Sequence, residues 1–337
     1  IISYVLGCQV TLPSMRTGYF VLTGVVVAFF SFQEYGLIGM IIPVIGLLAL
    51  RLIEKIQAQW LFLTGVLLLT VQLIIGGIPL FDTILRKVSV TPLFVFGYCF
   101  LFVGITFMIR TLNLGYMILA ILTSLILLSA FTFRVYILEL MIAIFLTLYL
   151  YKKVRMIHIC MSAVPLLLLI IIIGYVGVLY QDWKLNPLEL FMYRPAFTFG
   201  VLNKIVGVAG ISGISHGRIW LHFASATFIG SHLFGCDCNI TSTIMGPLIF
   251  DGGLLELGLC MAFFGSASQT LYKKAEKDPN TVPYYAILMA MILVGVDVSF
   301  IPSIIVLFLV GLYLSSDDPI ASQSFLKKTA AFFHRSS

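Results

Sequence analysis

The feature that most constrains this chain is the recurrence of uninterrupted apolar runs. They fall near 18–33, 36–50, 60–78, 92–109, 112–130, 135–151, 157–179, 244–264, 282–297 and 300–314, after an apolar stretch at 1–12. A helix rising about 1.5 Å per residue needs about 20 such residues to span roughly 30 Å of hydrocarbon. There, only helices and closed barrels satisfy their backbone groups, and a barrel strand alternates apolar with polar residues. These runs are continuous, so they predict helices. Composition agrees: 61% of residues are apolar and 10% charged, with a mean hydropathy of +1.10, outside the range of a soluble domain. The expected fold is an all-α integral membrane protein, a polytopic bundle of about 10–11 transmembrane helices with one long extracytoplasmic loop.

The organisation reads as N-terminal helices over 1–180, the long loop over 181–243, and C-terminal helices with a cytoplasmic tail over 244–337, together one membrane domain. Residues Ile1 to Leu12 read as the tail of a helix that begins upstream, and no signal peptide is expected. Placing Arg16 in the cytoplasm and alternating sides puts Arg16, Arg51, Lys55, Arg110, Lys152, Lys153, Arg155, Lys273, Lys274, Lys277, Lys327, Lys328 and Arg335 inside, as the positive-inside rule favours. Because the basic residues sit at helix ends rather than along one stripe, the net charge of +6 does not point to nucleic acid. Arg86, Lys87, Arg134, Lys184, Arg194, Lys204 and Arg218 then lie outside. A long loop is translocated largely regardless of charge. Arg134, however, sits in the very short connection from Ser129 to Arg134, which calls for something anionic on that face.

Within the long loop, Asn186-Pro187 predicts an N-cap and first turn for a short helix to Tyr193, and Arg194-Pro195 predicts a second over 195–206, with Arg194 beside its anion-favouring N-terminus. Gly207, Gly210, Gly213 and Gly217 break the chain before a re-entrant or interfacial helix over 218–229, on which Arg218 and His222, four apart, share a face. His216 lies in a Gly-Ile-Ser-His-Gly turn that suits a cap as well as catalysis, and His222 and His232 read as packing residues. Glu139 follows Arg134 into its helix, and Asp251 and Glu256 lie in the outer half of theirs. Ionised side chains at such depth cost on the order of 2.5 to 3.5 kcal/mol on insertion scales, so they face a cavity or a partner. Arg134 and Glu139, like Asp251 and Glu256, are five residues apart, about 140° on an ideal helix. Each should reach a neighbour rather than its helix mate, although Asp251-Gly-Gly also reads as a break in the helix. Cys236-Asp237-Cys238 is too close for an easy mutual disulfide and lacks a second ligand pair, so no metal is expected.

Several arginines, a few histidines and isolated carboxylates at an outward-facing cavity suit a phosphate or diphosphate at the bilayer surface, which the planar guanidinium fork binds and lysine cannot imitate. If a sugar–phosphate bond is broken, the same guanidiniums stabilise the departing charge, and a carboxylate or neutral histidine takes the proton from an attacking hydroxyl. The chain has no phosphate-cradling glycine loop preceded by a strand, so an activated donor would arrive attached to a lipid.

Three segments resemble a known family. They are Gly76-Gly-Ile-Pro-Leu-Phe81 followed by Leu85-Arg86, Phe131-Thr-Phe-Arg134, and Ile244 to Gly265 with Phe250-Asp-Gly-Gly-Leu-Leu254 and Phe263-Phe-Gly265 before Tyr272-Lys-Lys274. Over roughly 76–275 the chain resembles the oligosaccharide repeat unit polymerases, the Wzy-like enzymes of O-antigen and surface polysaccharide synthesis. Phe133 departs from the pattern, since a small residue commonly precedes the arginine.

The resemblance implies a metal-independent membrane glycosyltransferase without a cofactor. It would transfer the growing glycan from its polyprenyl (di)phosphate to the next lipid-linked unit, on the outer face of the cytoplasmic membrane. By position, Arg134 and Arg194 would hold the phosphates, with Arg86 and Arg218 as further ligands and Glu139 in a secondary role. His216, His222, Asp251 and Glu256 stay open as proton acceptor. The implied partners are the polyprenyl-linked oligosaccharide, membrane lipid, a flippase and a chain-length regulator. An O-antigen-type ligase would use the same phosphate chemistry. A flippase or transporter fits less well, because charge concentrates at the outer face and no inverted repeat stands out.

Overall fold

A computed structural model describes residues 1–37, 41–53, 56–180, 186–221, 225–236, 240–295 and 301–316. Among these residues there is no strand. In chain order the helices are α1 (Ile2–Gly7), α2 (Arg16–Tyr35), α3 (Ile41–Ile53), α4 (Ala58–Gly76), α5 (Thr83–Val88), α6 (Pro92–Met108), α7 (Leu114–Ala130), α8 (Arg134–Leu150), α9 (Met156–Tyr180), α10 (Pro187–Ala209), α11 (Arg218–Leu221), α12 (Ser225–Phe234), α13 (Met245–Lys277), α14 (Val282–Val294) and α15 (Ile301–Ser315). Each apolar run expected to span the membrane overlaps one of these helices, with residues 38–40 of the second run, 296–297 of the ninth and 300 of the tenth outside those described.

Local chemistry sets several starts. Thr91 accepts from the Phe94 amide ahead of Pro92, which opens α6, and Asn113 accepts from Tyr116 to open α7. Asn186 and Glu189 form a reciprocal capping box at the head of α10, so the expected cap is present. Of the helix expected over 218–229, α11 covers 218–221 and α12 covers 225 onward, and residues 222–224 lie outside those described.

Packing divides the helices into three apolar groups. Leu69, Leu101, Ile105, Ile137 and Leu140 centre the first, which joins α4, α6 and α8. Tyr19, Leu248, Phe264, Leu271 and Phe308 centre the second, around α2, α13 and α15. Helix α14 gives Ala290 to the first and Leu288 to the second, and so ties them together. In lipid, helix association relies on close packing, which small residues permit. Gly65 and Gly104 let the backbones of α4 and α6 meet, and Gly7 and Gly265 do the same for α1 and α13. The third group, Val201, Ile205, Ile219, Ile229, Ile249 and Phe250, forms a cap from α10, α11, α12 and the start of α13.

By length and composition α4, residues 156–176 of α9, and α13 are suited to cross a membrane, and shorter apolar helices accompany them. Leu63, Leu67, Ile74, Leu168 and Ile172 on these helices are exposed, as a lipid-facing surface requires. The chain is an all-helical polytopic membrane protein. Helix ends sort into two sets. The starts of α6, α8 and α13 lie at one end with the end of α14, where the Ile244 amide donates to the Gly295 carbonyl over 2.6 Å. The start of α2 and the ends of α6, α8, α13 and α15 lie at the other.

Candidate active site

Helix α13 is longer than the 244–264 expected, and it is broken. Its helical geometry fails at Gly252 (φ −115°, ψ 17°) and Gly253 (φ 68°, ψ −152°); the second conformation is one that only glycine adopts cheaply. A break leaves carbonyls without intrahelical donors, and the glycine-rich segment before α11 supplies them. Ile214 and Ser215 amides donate to the Phe250 carbonyl over 2.8 and 3.2 Å, and the His216 amide donates to that of Asp251 over 3.1 Å. In return the Leu254 amide donates to Ile211 over 3.0 Å. The contact is backbone on backbone: a Cβ at Gly213 would overlap the Asp251 carbonyl, and one at Gly253 would overlap that of Ile211.

Asp251 is the side chain at the centre of this junction, 1% exposed. Its Oδ1 accepts from the Ser215 hydroxyl and from the amides of Gly217, over 2.8 Å, and Ile219, over 3.2 Å. It therefore fixes the turn that carries His216 and opens α11 at Arg218. Both of these residues are exposed, and His216 holds a left-handed φ of 45°. Glu256 lies half-buried just past the break, with its carboxylate over Gly252, where a Cβ would overlap Oε2. The 140° separation expected of Asp251 and Glu256 does not apply, because the helix is interrupted between them.

The rest of the cap braces this turn. His232 packs on Phe228 and Phe250, with ring centroids 4.4 and 6.1 Å apart. Lys204 of α10 donates to the Leu233 carbonyl over 2.9 Å and sits 3.9 Å from the centroid of Phe234. Cys236 is disulfide-bonded, a feature that its spacing did not suggest. His222 and Cys238 lie outside the described residues.

Arg134 opens α8 after Thr132, which is buried at a φ of 62°. Phe131, Phe133 and Tyr136 all pack on Phe94, at 4.7, 5.5 and 5.4 Å between centroids. This aromatic packing accounts for the bulky residue at Phe133. The half-buried Arg134 lays its guanidinium on α9, where a Cβ at Gly174 would sit 3.1 Å from Nη1. Glu139, buried one turn on, accepts from the Tyr98 hydroxyl of α6 over 2.7 Å. The two residues thus engage neighbouring helices rather than each other, as their spacing implies.

Arg86 is half-buried on α5, whose N-cap Asp82 accepts from Ile84 and Leu85. The preceding turn Pro79–Phe81 packs against α9 and α7, so the Arg86 segment and Arg134 both flank α9. Helix α10 packs on both α9 and α13 and so connects them to the Asp251 junction.

Arg194 requires a correction. Pro187–Ala209 is one helix with Pro195 inside it, so Arg194 does not stand beside a helix N-terminus; its side chain lies outside those described. The capping box starts the helix upstream, and Pro195 falls inside it. Two positioning residues escaped the sequence reading. Ser215 offered no signal, whereas Asp82 ahead of Thr-Ile-Leu could have been read as a cap.

The fold and this junction define a class, a polytopic helical membrane protein with a broken helix and three described arginines, Arg86, Arg134 and Arg218, at one end. The family follows from residues 2–309, which match the family described as "Putative O-antigen polymerase": the chain belongs to the O-antigen polymerase family. The match extends well beyond the 76–275 covered by the resemblance. The chain is also similar to an uncharacterized protein of Methanocaldococcus jannaschii, 31% identical over 254 residues, which is 74% of this chain and 62% of that protein. It thus spans about three-fifths of the length of that relative. No solved structure matches it.

Proposed function

We propose that this chain polymerises oligosaccharide repeat units carried on a polyprenyl (di)phosphate, at the outer face of the cytoplasmic membrane. Family membership over 2–309 supports the reaction class. The observation that carries the site is the Asp251 junction, which holds His216 and Arg218 on a fixed turn at the same end of the bundle as Arg86 and Arg134.

The hydroxyl of the incoming lipid-linked unit attacks the anomeric carbon of the growing glycan. A carbon–oxygen bond forms there, the bond to phosphate breaks, and the lipid (di)phosphate departs. Arg134, Arg194, Arg86 and Arg218 hold and neutralise the phosphates, a task suited to guanidinium forks, so charge stabilisation rests on arginine rather than on a metal ion. His216 or Glu256 takes the hydroxyl proton. Asp251, with Oδ1 committed to three donors, positions the turn. A flippase delivers the units, and a chain-length regulator sets where elongation stops.

Reconstitution in vesicles with purified lipid-linked repeat units tests this reading. Glycans longer than one unit support it. Movement of the units across the bilayer without elongation would make the protein a flippase, and transfer only to a different acceptor would make it a ligase.

A further inference from the structure

Helix α10 is apolar on two sides, and the cap covers one of them. Thr198, Val201, Ile205 and Ala209 recur every three or four residues and are all buried, the spacing of a single helix face. Val201, Ile205 and Ala209 seat that face on Ile219, Ile249 and Phe250. The far side carries a second row. Met192, Phe199 and Val206 stand seven residues apart, which returns a helix to within about 20° of the same direction, and they are 62, 51 and 46% exposed. Among the described side chains from Met192 to Ala209, the exposed polar ones are Tyr193, Asn203 and Lys204; that of Arg194 lies outside those described.

No segment within 1–337 is placed to cover this row. The segments outside the described residues run to five residues or fewer, except 317–337, which follows α15 at the opposite end of the bundle. The row extends about 21 Å, and five fully extended residues span about 17 Å. Its surroundings follow from α9. That helix is suited to cross a membrane, packs on α10 and leaves Met161, Leu168, Ile172 and Tyr175 exposed. An apolar helix lying against a lipid-facing one shares its surroundings wherever protein does not cover it. The polar residues set the depth. Asn186 and Glu189 of the capping box are exposed at the head of α10, with Tyr193 about a turn beyond, and aromatic rings of this kind sit at headgroup level. The Lys204 ammonium is held by the Leu233 carbonyl and the Phe234 ring of α12. Asn203, also exposed, suits the boundary of the hydrocarbon rather than its centre.

We propose that α10 is seated in the bilayer, with Met192, Phe199 and Val206 in the acyl-chain boundary of the leaflet at the cap's end. A contiguous exposed apolar face marks a membrane or protein contact, and the packing of α10 on α9 selects lipid. The segment read from sequence as an extracytoplasmic loop thus includes a membrane-bound helix. Its buried row would hold the Asp251 junction at the bilayer surface. This inference is independent of the polymerase reading, since it rests on no arginine and holds whether or not the chain elongates glycans.

The experiment places a nitroxide at position 199, through p-acetylphenylalanine, in the purified chain reconstituted into phosphatidylcholine vesicles. Relaxation of the spin by oxygen, which concentrates in hydrocarbon, is compared with relaxation by a water-soluble nickel chelate. Oxygen should be about threefold or more the more effective, as for a side chain several ångströms below the headgroups, and the same should hold at position 206. If the label at 199 unfolds the chain, as read by its melting temperature, position 206 carries the test. Three results overturn the proposal. Nickel as the more effective relaxant would put the row in water. Spin–spin broadening that dilution with unlabelled chain removes would put a second copy on it. Protection from both relaxants would put another protein segment there.

Discussion

The backbone amide of Gly217 donates to Oδ1 of Asp251 over 2.8 Å, across 34 residues of sequence. With Ser215 and Ile219 it makes one buried carboxylate oxygen the anchor of a whole turn. A buried donor left unsatisfied costs about 1–3 kcal/mol. Asp251→Ala should therefore lower stability by about 2 kcal/mol or more, and Asp251→Asn, which keeps an acceptor, by less. Thermal unfolding in detergent measures both. An Asp251→Asn variant of parental stability with no elongation would instead make Asp251 the proton acceptor.

The break in α13 gives a second test. Gly253→Ala introduces a side chain at a φ of 68° and against the Ile211 carbonyl. Strain of this kind costs on the order of 1–3 kcal/mol before the clash is counted. Gly200→Ala, in α10 with nothing near its Cβ position, should be neutral or stabilising by up to about 1 kcal/mol. Melting temperatures that move equally in the two variants would contradict the backbone-on-backbone junction.

Tyr98 and Glu139 should be coupled. Removing the hydroxyl in Tyr98→Phe leaves the buried carboxylate without its 2.7 Å donor, whereas Glu139→Gln keeps an acceptor for it. A double-mutant cycle of Tyr98→Phe with Glu139→Ala, which removes the acceptor, should return an interaction of about 1 kcal/mol or more. Elongation by Glu139→Gln at parental expression would assign Glu139 to the scaffold, and its loss would assign it to the chemistry.

Lys204 joins α10 to the end of α12 through the Leu233 carbonyl and the Phe234 ring. Lys204→Met should cost about 1 kcal/mol of stability, the scale of one such hydrogen bond and cation–π contact. Its glycan ladder should match the parent's, since the residue braces the cap without touching substrate.

The long helices were legible because apolar length is set by the bilayer and shows directly in sequence, as at 60–78 for α4 and 92–109 for α6. The cap at Asn186 was legible for the same local reason, a side chain reaching its own backbone. Arg194-Pro195 misled because proline favours a first helical turn, whereas the Asn186 capping box has already started α10 and Pro195 falls inside it. Asp251-Gly-Gly announced a break but not what fills it. The donors come from residues 215–219, and pairing across such a separation leaves no periodic trace. Phe133 likewise departs from the family pattern for a reason visible only once Phe94, Phe131 and Tyr136 are brought together.

The most direct test of the central claim is a glycan ladder. A host lacking its own surface polysaccharide polymerase is given this chain with a matching repeat-unit pathway, beside Arg134→Ala and Arg194→Ala at equal membrane expression. The parent should produce a ladder, and each variant should collapse to a single repeat unit. A parent that makes no ladder from a verified cognate substrate, or variants that both make a normal one, would contradict polymerisation through arginine-bound phosphate.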